Sequence, residues 1–70
     1  MLDNYEDLIS VAEFAKILGI KKRQAYNIIH SEKFRIFSPN GTKLRIYKSD
    51  VIEYIESNTK NVIQPFNFLN

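Results

Sequence analysis

The stretch SVAEFAKILGIKKRQAYNII, Ser10 to Ile29, decides the fold. Ser10 and Glu13 stand three apart just before the apolar residues Phe14, Ala15 and Leu18. At that spacing a Ser hydroxyl accepts the third helical amide while the Glu carboxylate reaches back to the Ser amide, so a capping box predicts a helix from Val11 to Leu18. Ile9 before the cap and Phe14 at the fourth helical position are placed to pack as a hydrophobic staple. Gly19 follows the last apolar residue, where a left-handed residue commonly ends a helix, and only Ile20 and Lys21 separate it from a second helical pattern. Two short helices joined by a tight glycine turn make a helix-turn-helix candidate.

In the second pattern Ala25, Ile28 and Ile29 share one side of a 3.6-period helix, with Ile20 as a plug between the two helices. Small Ala25 suits the close point of a helix pair. The opposite stripe holds Lys22, Arg23, Tyr26, Asn27 and His30, for which packing supplies no task.

After Lys33 the period changes. Phe34 to Phe37 and Lys43 to Tyr47 are two β-favouring runs with partial alternation, separated by Ser-Pro-Asn-Gly-Thr. Pro39 presets one turn dihedral and Asn40-Gly41 tolerate positive φ, which predicts a hairpin with Leu44 and Ile46 inward and Lys43, Arg45 and Tyr47 outward. Ser49 is then expected to cap a third helix, with Asp50 in its first turn, Val51, Ile52 and Ile55 on its inner face, and Glu53 and Glu56 outside. The segments therefore read as an acidic N-terminal arm (1–8), a folded unit (9–57) of three short helices and a two-stranded hairpin, and an apolar C-terminal tail (58–70). Pro65 interrupts any helix in that tail, whose apolar residues are expected to fold back on the thin core; the alternative is contact of Phe66, Phe68 and Leu69 with a partner or a second copy of the chain.

Composition narrows the function. Seventy residues allow one domain with a thin core and little room for a deep catalytic pocket. There is no cysteine and a single His30, so neither a disulfide scaffold nor a thiolate or histidine metal site is expected. The longest apolar runs are two or three residues, too short for a membrane span or a signal peptide. A cytoplasmic, metal-free protein without cofactor or small-molecule ligand is the expectation. The carboxylates lie on the flanks and at helix caps, both glycines are explained by turns, and no Ser/His/Asp set converges, so no catalytic residue is assigned.

The formal net charge of +2 conceals a segregation. From Lys16 to Lys48 nine basic residues face Glu32 alone, a charge of +8, whereas the two flanks carry −6. A basic middle of this kind points to a polyanion, and a hairpin with basic residues on its outer side after a helix-turn-helix is what a DNA-binding wing needs.

The run SVAEFAKILGIKKRQAYNIIHSEKF, the short basic hairpin and KSDVIEYIES together resemble the small excisionase-type DNA-binding proteins, relatives of the MerR winged helix-turn-helix domain. Glu13, Ala15, Leu18 and Gly19 match the first helix of that pattern in kind, Arg23 and Tyr26 its basic second helix, and Ser49 and Asp50 the pair that opens its third. One departure is Lys21, where the family usually has Ser or Thr as the second-helix cap; Lys cannot accept amide bonds, so that helix start is expected to fray until a phosphate takes the role.

The resemblance, which spans residues 9 to 57, implies an α+β winged helix-turn-helix that binds double-stranded DNA in a sequence-specific way. In this reading Arg23 contacts guanine and Gln24 or Asn27 adenine in the major groove, Lys21, Lys22 and Tyr26 hold phosphates, and His30 contacts a phosphate or a base. Asn40, Thr42, Lys43 and Arg45 form the wing contact in the adjacent minor groove or on its backbone. The process implied is excision of a mobile element of bacterial or phage origin, with several copies binding side by side, bending the DNA and assisting a tyrosine-type integrase. A small transcription regulator has the same fold, and a module that binds an acidic repressor or recombinase is the alternative from another class.

Overall fold

The computed structural model describes residues 1–41 and 43–60. In chain order the elements are β1 (Leu8–Ser10), α1 (Val11–Leu18), α2 (Lys22–Ser31), β2 (Ile36–Phe37), β3 (Arg45–Tyr47) and α3 (Lys48–Ser57), with a single 3-10 turn at Pro39–Gly41 between β2 and β3. Three helices and a small antiparallel sheet make a winged helix-turn-helix.

The capping box closes as the spacing requires. Glu13 N–H donates to Ser10 Oγ at 3.1 Å, and Ser10 N–H donates to Glu13 Oε1 at 2.9 Å. Gly19 ends α1 at φ 68°, ψ 35°, a left-handed conformation that costs glycine little, and the amides of Gly19 and Ile20 close onto Lys16 and Ala15 carbonyls. Helix α2 follows after two residues, so the turn is as tight as predicted.

Its N-terminus differs from expectation. Lys21 offers no side-chain acceptor, yet its own amide donates to Gln24 Oε1 at 3.0 Å, and its carbonyl accepts Ala25 N–H at 3.0 Å. Gln24 thereby supplies one half of a capping box whose other half the lysine cannot make.

The hairpin carries a third strand that the sequence pattern did not signal. The sheet order is β1-β3-β2, with Ile9 and Ile36 both opposite Ile46 on its two sides, and Ser10 and Phe37 both opposite Arg45. β1 is only Leu8-Ile9-Ser10, and its last residue doubles as the cap of α1, so a strand and a helix are set by one residue. β2 is shorter than the run Phe34 to Phe37. Phe34 leaves the ladder to pack edge-on against Phe14 at 5.3 Å between ring centroids and beside Tyr54 at 5.6 Å.

The third helix begins at Lys48, one residue before the expected cap, and Tyr47 at its N-cap makes no side-chain cap bond. Ser49 is therefore inside the first turn and not its cap; its hydroxyl accepts from Arg35 Nη2 at 3.0 Å. What sets the helix start is its link to the strand before it and to the N-terminal segment, where Lys48 N–H donates to the Asp7 carbonyl at 2.8 Å and Lys48 Nζ to the Tyr5 carbonyl at 3.3 Å.

The core is thin. Ile9, Phe14, Ala25, Ile29, Ile46 and Val51 are its fully enclosed side chains, with Val11 and Ala15 beside them, so every helix and the strands β1 and β3 contribute. Leu2, Tyr5, Ile20, Leu44 and Ile55 close it from the rim. Phe14 is the largest of the enclosed group and touches rings from two other segments, so its truncation to Ala is worth about 3–5 kcal/mol, comparable with the whole stability of a domain this small.

Candidate nucleic-acid interface

Because Ala25 and Ile29, with half-buried Ile28, anchor α2 to the core, its polar side is turned outward. Lys22, Arg23, Gln24, Tyr26, Asn27 and His30 are all exposed, as is Lys21 just ahead of it. The Tyr26 and His30 rings, one turn apart, stack in parallel at 6.4 Å with planes 10° apart. Gln24 is already engaged by the Lys21 amide through Oε1, which leaves its amide nitrogen as the group free to face a base.

On the wing, Asn40 and Gly41 adopt φ values of 58° and 65°, so the positive-φ pair sits where the turn chemistry predicted. Lys43 is exposed, and Arg45 is half-buried with Nη1 donating to the Leu44 carbonyl at 3.1 Å. Thr42, and Phe66, Phe68 and Leu69 of the tail, lie outside the described residues.

The tertiary structure joins the two groups. A cleft of about 400 Å³ runs between the start of α1, the face of α2 and the wing, lined by Ser10, Val11 and Ala12, by Lys22 and Tyr26, and by Ser38, Gly41, Lys43, Leu44 and Arg45. Among the described residues no carboxylate lines it. Three cations thus converge around a polar opening onto which the N-termini of α1 and α2 also give, and helix N-termini favour anions.

Arg35 belongs to the basic middle of the sequence but not to this surface. Its Nε donates to Asp50 Oδ2 at 3.1 Å, its Nη2 to Asp50 Oδ1 at 3.2 Å, and its backbone amide to Asp50 Oδ2 at 2.9 Å, while the guanidinium lies 4.2 Å over the Tyr47 ring. Burial works to raise the Asp50 carboxyl, and the hydrogen bonds from Arg35 outweigh it and hold the group below its ordinary 3.8. The hydrogen bond to Asp50 in turn raises Arg35. Lys48 is also occupied, by the Tyr5 carbonyl. A linear charge count includes both, because it does not see which cations have partners.

A short helix pair of this geometry with a basic wing defines a DNA-binding class of domain. The Helix-turn-helix domain family matches residues 8–59, most of the chain, and the chain belongs to that family. No curated protein and no solved structure gives a match. Among the described residues no helix is long and apolar enough to cross a membrane, and no group of His, Asp or Glu is arranged to hold a metal ion.

Proposed function

We propose that this protein is a sequence-specific binder of double-stranded DNA that acts as an excisionase, an accessory that binds and bends DNA so that a tyrosine-type integrase can excise a mobile element. The observation that carries the DNA part is the cleft in which Lys22 and Tyr26 of α2 meet Lys43 and Arg45 of the wing with no carboxylate between them. The family to which the chain belongs includes excisionase-like proteins, which supports the finer reading.

In this reading α2 enters the major groove. Arg23 makes a two-pronged contact with guanine, Asn27 or the free amide of Gln24 reads a neighbouring adenine, and Lys21, Lys22, Tyr26 and His30 hold phosphates. The wing, through Asn40, Thr42, Lys43 and Arg45, follows the adjacent minor groove or its backbone. The protein's role is to bind and shape DNA, not to catalyse a reaction.

A gel-shift series in increasing salt tests the electrostatic model. Neutralising roughly five to seven phosphates gives a slope of log K against log salt on the order of −5 to −6, and a flat slope would sink it. Arg23→Ala is expected to relax sequence preference at a cost of about 1–3 kcal/mol, whereas Lys43→Ala weakens specific and random DNA alike. Footprinting separates excisionase from regulator. Adjacent protected sites on bent DNA fit the excisionase, and one isolated site on straight DNA assigns the chain to the small transcription regulators.

A further inference from the structure

Among the described residues four large apolar side chains are well exposed: Met1 at the chain start, Tyr26 at 38%, Ile36 at 43% and Phe37 at 44%. Apart from Met1 they all belong to α2 and the wing, the elements that carry the basic cleft. Scattered exposed apolar residues are ordinary, but a ring left in water on a two-residue strand, directly opposite an arginine of the next strand, is a grouped feature.

The sheet register separates the two wing residues. Ile36 lies opposite Ile46, whose side chain is fully enclosed, so Ile36 is on the core side of the sheet and extends it to the rim. Phe37 lies opposite Arg45 and so shares its face of the sheet; Arg45 lines the cleft, and Phe37 sits at its margin and not among the lining residues. Arg35, two residues before it, is engaged by Asp50 and lies over the Tyr47 ring. β2 is an edge strand, paired only with β3, so nothing among the described residues covers Phe37 from the far side.

The surroundings choose the occupant. A protein partner that covered Phe37 would have to desolvate Arg45 and Lys43 with it, an expensive step for unpaired cations, whereas a DNA duplex supplies phosphates to those cations and apolar base faces to the ring at once. We infer that Phe37 is the wedge of the wing: its ring enters the minor groove at a pyrimidine–purine step, partly unstacks that step and kinks the duplex, while Lys43 and Arg45 hold the flanking phosphates. Pyrimidine–purine steps are the ones most easily unstacked, so this contact would contribute preference for a position at which no hydrogen bond is read. The inference rests on the DNA-binding reading above and adds to it the residue that deforms the DNA.

The test uses the full chain and a duplex selected by it from a randomised pool, with donor and acceptor dyes at the two ends and the fluorescent base aminopurine placed at each flanking pyrimidine–purine step in turn. The wild-type protein is expected to shorten the dye separation and to brighten aminopurine at one step. Phe37→Ala should keep the wild-type circular-dichroism melt, lose both signals and bind several-fold more weakly, and Phe37→Leu, which retains an apolar wedge, should restore most of each. Ile36→Ala should leave the aminopurine signal in place. A Phe37→Ala complex with undiminished bend and brightness would overturn the wedge while leaving DNA binding intact, as would a wild-type complex that brightens no step. Failure of the wild type to retain any duplex from the pool would instead remove the DNA reading itself.

Discussion

Two clefts of nearly equal size open on the domain, and they differ in what their charges are doing. The one against the wing measures about 400 Å³ and has Lys22, Lys43 and Arg45 on its walls with no acid. The other, about 440 Å³, lies between the segment that follows α2 and α3 and mixes Lys33 and Arg35 with Glu32, Asp50 and Glu53, with Phe34 and Tyr54 also on its walls. Volume does not distinguish them; unspent charge does. Arg35 and Arg45 are ten residues apart in one hairpin, yet the first is clamped to a carboxylate and the second is left facing a polar opening. An arginine held in a bidentate pair fixes structure, and one without an acid within reach is available to a phosphate.

The largest effect that could break this contrast is charge reversal. Replacing Lys22 and Lys43 together with Glu is expected to weaken duplex binding by about 100-fold or more at moderate salt, since two phosphate contacts become two repulsions. Glu32→Lys with Glu53→Lys in the other cleft should leave binding equal or slightly tighter. Similar losses for both pairs in a gel shift would mean that the two clefts are not functionally distinct.

Next in size is the Arg35–Asp50 clamp. Asp50 has a side chain only 12% exposed, against 63% for Arg35, so the carboxylate is the enclosed partner and its removal is the informative change. Asp50→Ala is expected to cost about 1–2 kcal/mol of stability while DNA affinity stays within a few-fold of wild type. Because the folded-state carboxyl lies below its ordinary 3.8, its contribution is fully present above that value and is lost as the pH falls through the lower folded value. Urea titrations across an acid pH series should therefore show a steeper loss of stability for the wild type than for Asp50→Asn. Parallel curves would show that the clamp is a crystal-clear geometry with no energetic consequence.

The smallest expected effect is at the cap. Ser10→Ala removes the acceptor for Glu13 N–H and should lower stability by about 1 kcal/mol, read as a reduced melting temperature. If the loss were much larger, the dual role of Ser10 as strand end and helix cap would be the reason, since β1 would be disturbed with α1.

The helix-turn-helix was legible because its signals are local. Ser10, Glu13 and Gly19 act within four residues of themselves, and the spacing of Phe14, Ala25 and Ile29 states which sides of the helices meet. The turn at Asn40-Gly41 was legible for the same reason. Strand β1 was not, since three residues carry too little alternation to be distinguished from a tail, and they become a strand only because Ile46 offers them a ladder. Gln24 as the partner of the Lys21 amide had the right spacing for half a capping box, a signal that was available in the sequence and overshadowed by the lysine at the cap.

By itself, then, the sequence determined two helices, their turn, a hairpin and the chemistry of an exposed basic stripe, because each depends on neighbours within a few positions. Only the tertiary structure decided which cations remain free. Asp50 reaches back fifteen residues to take Arg35, Tyr5 reaches forward to Lys48, and α2 and the wing close on one cleft around Lys22, Lys43 and Arg45. Coulomb and hydrogen-bond partners are chosen by distance in space, which periodicity along a chain does not contain.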